Sequence, residues 1–161
     1  MDIKVYDYVI DPVTIEQTFQ FLSKTFYSFG STSDDMVASD VSWVRNHKGD
    51  SIVKPLYEAL RNVCDVPSYE SIATTYTDLL RAGDLPRTVR SISKSVNIFC
   101  VNPEWSCYWG GEIVFYDDDE IYKAIVPKPG RVISFDGRIP YATRPPLRPS
   151  HQPRYNTVIE F

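Results

Sequence analysis

The residues able to do chemistry are few and widely spaced. His47 and His151 are the two histidines of the chain, and they lie in segments of unrelated character. His47 sits in Asn46-His47-Lys48-Gly49-Asp50, and His151 sits in a proline-rich run between Arg148 and Arg154. A metal site built on them needs a third ligand, Asp50 or Asp84, and needs unrelated loops to converge within bonding distance. The expectation is instead two exposed loop histidines. Cys64, Cys100 and Cys107 form no CxxC pair, and no histidine lies near enough in sequence to activate a thiol. They read as reduced, structural thiols. Asp117-Asp118-Asp119-Glu120 lacks the spaced ligands of a calcium loop and reads as a solvated hairpin turn. Trp105, Tyr108 and Trp109 read as packing at sheet edges rather than a ligand cage. Arg154 opens the terminal strand-like run, and its planar fork suits either a carboxylate ligand or a local carboxylate partner.

The elements that position these residues follow from periodicity. The chain has 161 residues, 43% of them hydrophobic, which suits one domain with a packed core. Residues 1–11 alternate as a half-buried strand ending at Pro12. Thr14-Ile15-Glu16-Gln17 resembles a capping box, and Ile15, Phe19, Leu22 and Phe26 follow helical spacing up to Gly30. Residues 31–35 read as a polar loop, and residues 36–46 as a short helix or an irregular covering segment. Asp50 and Ser51 are candidate caps for a helix carrying Val53, Leu56, Leu60 and Val63 on one face, with Pro55 early in it. From Tyr69 the period changes to two. Strands are expected at 69–79, 91–101, 111–116, 121–126, 131–135 and 154–161, separated by turns rich in Gly, Pro and Asp. Pro140 to Pro153 reads as irregular. Helices first and antiparallel strands after give an α+β domain, with residues 1–67 as N-terminal strand and helices and 68–161 as the sheet core.

Charge and composition narrow the function. The net charge of −4 argues against general nucleic-acid binding. From Ile125 onward, however, Lys128, Arg131, Arg138, Arg144, Arg148 and Arg154 face only Asp136 and Glu160. That segment is either a solvated surface or an anion-binding face. No apolar run of membrane length and no signal-peptide pattern is present, so membrane association is not expected.

Several short signatures occur in order: Asn102-Pro103-Glu104-Trp105, Trp109-Gly110-Gly111-Glu112, Phe115-Tyr116, Pro127-Lys128-Pro129-Gly130-Arg131, Phe135-Asp136-Gly137, Ile139-Pro140, Arg144-Pro145-Pro146 and Arg154. In that order they resemble the iron- and 2-oxoglutarate-dependent dioxygenases of the prolyl 4-hydroxylase type. The resemblance implies a double-stranded β-helix, a jelly roll of two antiparallel sheets. It also implies Fe(II) held by a His-x-Asp motif and a second histidine, with an arginine on the last strand gripping 2-oxoglutarate.

Residue by residue, the carry-over fails at the metal. The second histidine corresponds to Tyr141, and the most natural alignment puts Pro86 and Thr88 at the His-x-Asp positions. No histidine lies between His47 and His151, so the motif is missing under any shift. Proline offers no ligand, and neutral threonine and tyrosine are poor donors for Fe(II). Tyr141 is expected to fill the vacated space with its ring, its hydroxyl finding a local partner. Arg154 matches, and is expected to bind 2-oxoglutarate or another anion, or to pair locally.

The reading is therefore a degenerate, non-catalytic dioxygenase fold acting as a protein-binding, structural or accessory module, with no cofactor. Its expected partner is another protein, or a dicarboxylate or other anion near Arg154. The alternative is an active oxygenase using Fe(II) and 2-oxoglutarate at an unorthodox metal site. A sugar- or nucleotide-binding jelly roll is a third option. Compact forms sharing these signatures look microbial or viral, which implies a reducing cytoplasmic setting in a microbe or infected host, or a place in a virion.

Overall fold

The computed structural model of the protein describes residues 1–30, 42–89 and 91–161. Its strands form two antiparallel sheets. The larger runs in the order β1 (Ile3–Tyr6), β9 (Val132–Phe135), β6 (Val96–Cys100), β11 (Arg154–Glu160), β4 (Thr74–Leu80), β3 (Ser42–Asn46) and β2 (Ser28–Gly30). The smaller runs β5 (Arg87–Val89), β10 (Tyr141–Thr143), β7 (Ile113–Asp117) and β8 (Glu120–Ile125). This is the jelly-roll arrangement that the family resemblance implies, with helices α1 (Pro12–Lys24) and α2 (Val53–Arg61) added.

Strand alternation sorts side chains into two cores. One face of the large sheet meets the helices: Phe99, Val101, Val132, Tyr155 and Ile159 pack with Ile15 and Leu22 of α1 and with Leu56 and Leu60 of α2. The other face meets the small sheet. There Tyr76, Ile98, Ile133 and Val158 pack with Val89, Ile113, Phe115 and Tyr141. On β11 the period of two therefore sends Arg154, Asn156, Val158 and Glu160 between the sheets and their neighbours toward the helices.

Several boundaries differ from the sequence reading, each for a local reason. Helix α1 starts earlier, because Asp11 caps it: its Oδ1 accepts from the Val13 and Thr14 backbone N–H groups, both at 3.0 Å. Pro12 thus opens the helix, and Gly30 ends β2 rather than the helix. Neither Asp50 nor Ser51 caps α2; its N-cap is Ile52 and makes no side-chain capping bond. Residues 42–46 form β3, not a helix or irregular segment; the rest of the expected 31–46 region, residues 31–41, lies outside the described residues. Tyr69–Ser71 is a single 3-10 turn before β4. The strand expected at 91–101 starts only at Val96, and Ile92, expected on its inner side, is fully exposed. Strands β5 and β10 were not anticipated. Each is three residues long, too short for a periodic signal, and β10 falls in the stretch read as irregular.

Candidate functional site

The interior between the sheets has two polar tiers at opposite ends of β11. The first surrounds Tyr141. The Ile139-Pro140 turn delivers Tyr141 to the start of β10, where it stands opposite Val89 of β5 and Phe115 of β7. Its ring is fully buried, with centroids 5.0 Å from Phe135 and 6.2 Å from Phe115. Its hydroxyl lies 3.4 Å from that of Tyr76, which donates to Glu160 Oε1 at 3.3 Å. The Ser91 and Ser93 hydroxyls donate to Glu160 Oε2, each at 2.8 Å. Burial pushes the Tyr141 phenol well above its ordinary range, and burial with the neighbouring Tyr141 does the same to Tyr76. Both phenols are neutral hydrogen-bonding groups at any ordinary pH. The preceding Asp136-Gly137 turn is close against this tier, and a Cβ on Gly137 would run into the Ser93 carbonyl.

The second tier surrounds Arg154 at the start of β11. The side chain is completely buried. Nη1 donates to the Tyr155 carbonyl at 3.0 Å, and Nη2 approaches Cys100 Sγ at 3.4 Å. The guanidinium lies 5.7 Å from the centre of the Trp105 ring. Nε has no hydrogen-bond partner, and among the described residues no carboxylate lies within ion-pair distance of Arg154. Two residues on, Asn156 Nδ2 donates to Thr143 Oγ1 at 3.2 Å while Asn156 Oδ1 is unpartnered. Nearby, Arg87 is ion-paired with Asp78, and Ser42 bonds both.

A cover of aromatic residues closes the Arg154 end. Trp105 Nε1 donates to the Gly110 carbonyl at 3.0 Å. Its ring leaves no room for a side chain at Gly111, where a Cβ would fall 2.8 Å from it, and the positive φ of 76° there suits glycine. Trp109 stacks edge-on against Trp105, and His151 edge-on against Trp109. Trp105 and Trp109 therefore pack, as the sequence suggests, while Tyr108 is exposed.

The structure separates the other residues singled out in the sequence. Pro86 and Thr88 are exposed, and Thr88 stands opposite Ala142, on the face of the small sheet away from Tyr141. Their side chains do not meet Tyr141. The inward residues of β5 are Arg87 and Val89. His47 is not an exposed loop histidine: it is buried on the helix side of the large sheet, bonded to Asp50 and Thr77. His151 is exposed beside Trp109, and Asp84 accepts from the Arg81 N–H. No group of three His, Cys, Asp or Glu side chains suited to a metal occurs among the described residues. The acidic run turns the β7–β8 hairpin, with Asp118 and Asp119 at positive φ. The cysteines are free thiols, with Cys100 buried and Cys107 exposed.

These residues do not fit Fe(II). A buried neutral phenol faces Val89 across the strand pair, and Glu160, the nearby carboxylate, is engaged by three hydroxyl donors. The Arg154 tier differs: it holds a buried guanidinium with an unpartnered N–H, the donor chemistry that suits a carboxylate. The sequence reading missed Tyr76, Glu160, Ser91, Ser93, Thr143 and Asn156. The spacing of Arg154, Asn156, Val158 and Glu160 by twos was the available signal for the residues on β11.

The fold is that of the 2-oxoglutarate and Fe(II) oxygenases. A prolyl hydroxylase from Trichoplax adhaerens, solved with a peptide fragment of the hypoxia inducible factor oxygen degradation domain, superposes with a TM-score of 0.73 at 14% identity, over 98% of this chain and 82% of that one. A Pseudomonas putida prolyl-4-hydroxylase gives 0.71 at 12% identity, over 99% and 91%. The viral collagen prolyl hydroxylase of Paramecium Bursaria Chlorella virus-1 gives 0.66 at 10% identity, over 98% and 94%. No family profile and no curated protein matches the sequence.

Proposed function

We propose that this protein is a non-catalytic member of the dioxygenase fold that works by binding, with another protein as its partner and an anion subsite at Arg154. One observation carries the reading: the fully buried Tyr141 ring, opposite Val89, stands at the position where the resemblance requires a histidine ligand. The pairing also sharpens the alignment. Val89 pairs with Tyr141 and Ser91 bonds Glu160 beside it, whereas Thr88 faces the other way, which supports Val89 and Ser91 over Pro86 and Thr88 as the counterparts of the His-x-Asp motif. A protein partner is supported by precedent in the Trichoplax neighbour, which holds a peptide on this scaffold. Fold likeness alone does not give function.

The retained arginine favours one further element of the reading. A guanidinium buried without a carboxylate is costly, and an anion would offset that cost. The same observation is what speaks for the alternative, an active 2-oxoglutarate-dependent oxygenase, and the two readings part at the metal.

The test is reconstruction. The variant Val89→His, Ser91→Asp, Tyr141→His is expected to gain binding of Co(II), read from its visible absorption bands, while the unmodified protein shows none. The variant Pro86→His, Thr88→Asp, Tyr141→His is expected to gain none. A folded first variant that binds no more Co(II) than the unmodified chain would refute the placement of the lost ligands.

A further inference from the structure

A second polar network lies on the opposite face of the large sheet, away from both tiers. His47 has a side chain with no exposed surface, at the end of β3 where the chain leaves the sheet for α2. Its Nδ1 lies 2.8 Å from Asp50 Oδ2, and its Nε2 lies 2.7 Å from Thr77 Oγ1 on β4. Thr77 Oγ1 in turn lies 2.8 Å from Thr157 Oγ1 on β11. Arg45 grips Asp50 with two bonds of 2.9 Å each, and Phe21 of α1 packs on both the His47 ring and the Arg45 guanidinium. The chain of contacts thus ties α1, the segment 46–52 and two central strands together.

The chemistry of the partners fixes where the proton sits. A carboxylate can only accept, so the neutral ring carries its proton on Nδ1 and donates to Asp50. Nε2 then accepts from the Thr77 hydroxyl, and Thr77 Oγ1 accepts from Thr157. Adding a proton to Nε2 reverses this order. The ring must donate to Thr77, and the buried Thr77 O–H, which had donated to the ring, must turn away to another acceptor. Among the described residues, the charged and titratable groups facing the ring are Asp50 and Arg45; α1 offers Phe21, and β4 and β11 offer the two hydroxyls. Asp50 would then serve two cations, one of them already bidentate. Burial, the dominant influence, holds the ring's proton affinity below the ordinary histidine range despite Asp50.

We propose that His47 is a proton-operated latch: neutral, it pins the segment 46–52 to the large sheet, and protonated, it releases that segment. The same segment walls a surface cleft of about 410 Å³, lined by Asn46, Lys48, Val53, Tyr69, Ile72 and Thr75, so release opens that cleft. Histidine is the side chain that titrates in the mildly acidic range where such a device is useful. The inference is independent of the fate of the metal site.

The test is amide hydrogen exchange at pH about 7.5 and about 5.5, corrected for the intrinsic pH dependence, with imidazole nitrogen shifts followed on the same sample. The expected result is a selective loss of protection over residues 46–53, up to roughly tenfold per pH unit for a one-proton linkage, in step with protonation of His47. His47→Gln cannot titrate and is expected to abolish the pH dependence. An imidazole that takes its proton while protection over 46–53 is unchanged would overturn the latch. So would a pH effect that survives in His47→Gln. The first of these needs only the unmodified protein, so a poorly folding variant leaves the proposal open to refutation.

Discussion

Tyr141 and Arg154 both lie between the two sheets with no exposed surface, yet their surroundings differ. Around Tyr141 the polar groups are satisfied: two phenols, two serine hydroxyls and Glu160 form one network enclosed by aromatic rings. Around Arg154 they are not: among the described residues, Nε and Asn156 Oδ1 have no hydrogen-bond partner and no carboxylate pairs with the guanidinium. The Tyr141 end is packed and hydrogen-bonded like ordinary core. An end with open hydrogen-bonding capacity still has room in its chemistry for a ligand. The contrast is between a satisfied end and an unsatisfied end of the same strand, β11.

Substitutions can break this contrast. The largest effect is expected from Tyr141→Ala, which empties the aromatic tier and should destabilise by about 3–5 kcal/mol in denaturant titration. Arg154→Met is expected to act in the opposite direction. In buffer free of small carboxylates it should leave stability unchanged or raise it by about 1–4 kcal/mol, because it removes a buried uncompensated charge. It should also remove any stabilisation by added carboxylates that the unmodified protein shows in a thermal shift series. A loss of several kcal/mol in Arg154→Met would mean that the arginine is already compensated, and the contrast would fail. Tyr141→Phe keeps the ring and loses one hydrogen bond to Tyr76, so it should cost about 1 kcal/mol.

The smallest effect is on pH dependence. Because the folded protein holds His47 below its ordinary value of 6.5, the folded state favours the neutral ring. The resulting stability is complete above that value and declines as pH falls from it toward the lower folded value, then levels off. A midpoint that stays flat through that window, or rises on acidification, would contradict the burial of a neutral imidazole.

The antiparallel strands were legible in the sequence because the longer ones carry clear alternation and their turns carry Gly, Pro and Asp, while the jelly roll itself came from the family resemblance. The strand opened by Arg154 was read within a residue of its observed end. The short strands β5 and β10 were not legible, so the inward-facing residues of β5 were not identified. Without β5 nothing fixes which residues of the Pro86-to-Ser91 stretch face inward, and a shift of one residue exchanges the two faces. In the structure Thr88 lies on the outward face of β5, and Pro86 is exposed just before it. His47 was misread for a related reason. Its burial depends on Thr77 and Thr157, which are distant in sequence and reach it only through strand pairing. Asp50 looked like a helix cap because its spacing allowed it, but Arg45 and His47 hold it instead. Burial draws its carboxyl upward, yet those two partners bring it below the ordinary aspartate value.

The central claim is that the fold is retained without its metal chemistry. The most direct test is an anaerobic calorimetric titration of the unmodified protein with Fe(II) and 2-oxoglutarate, followed by oxygen and an assay for succinate. The account predicts no stoichiometric iron binding and no succinate above a protein-free control, whether or not 2-oxoglutarate itself binds at Arg154. One equivalent of Fe(II) bound with micromolar affinity, with succinate formed on admission of oxygen, would contradict it.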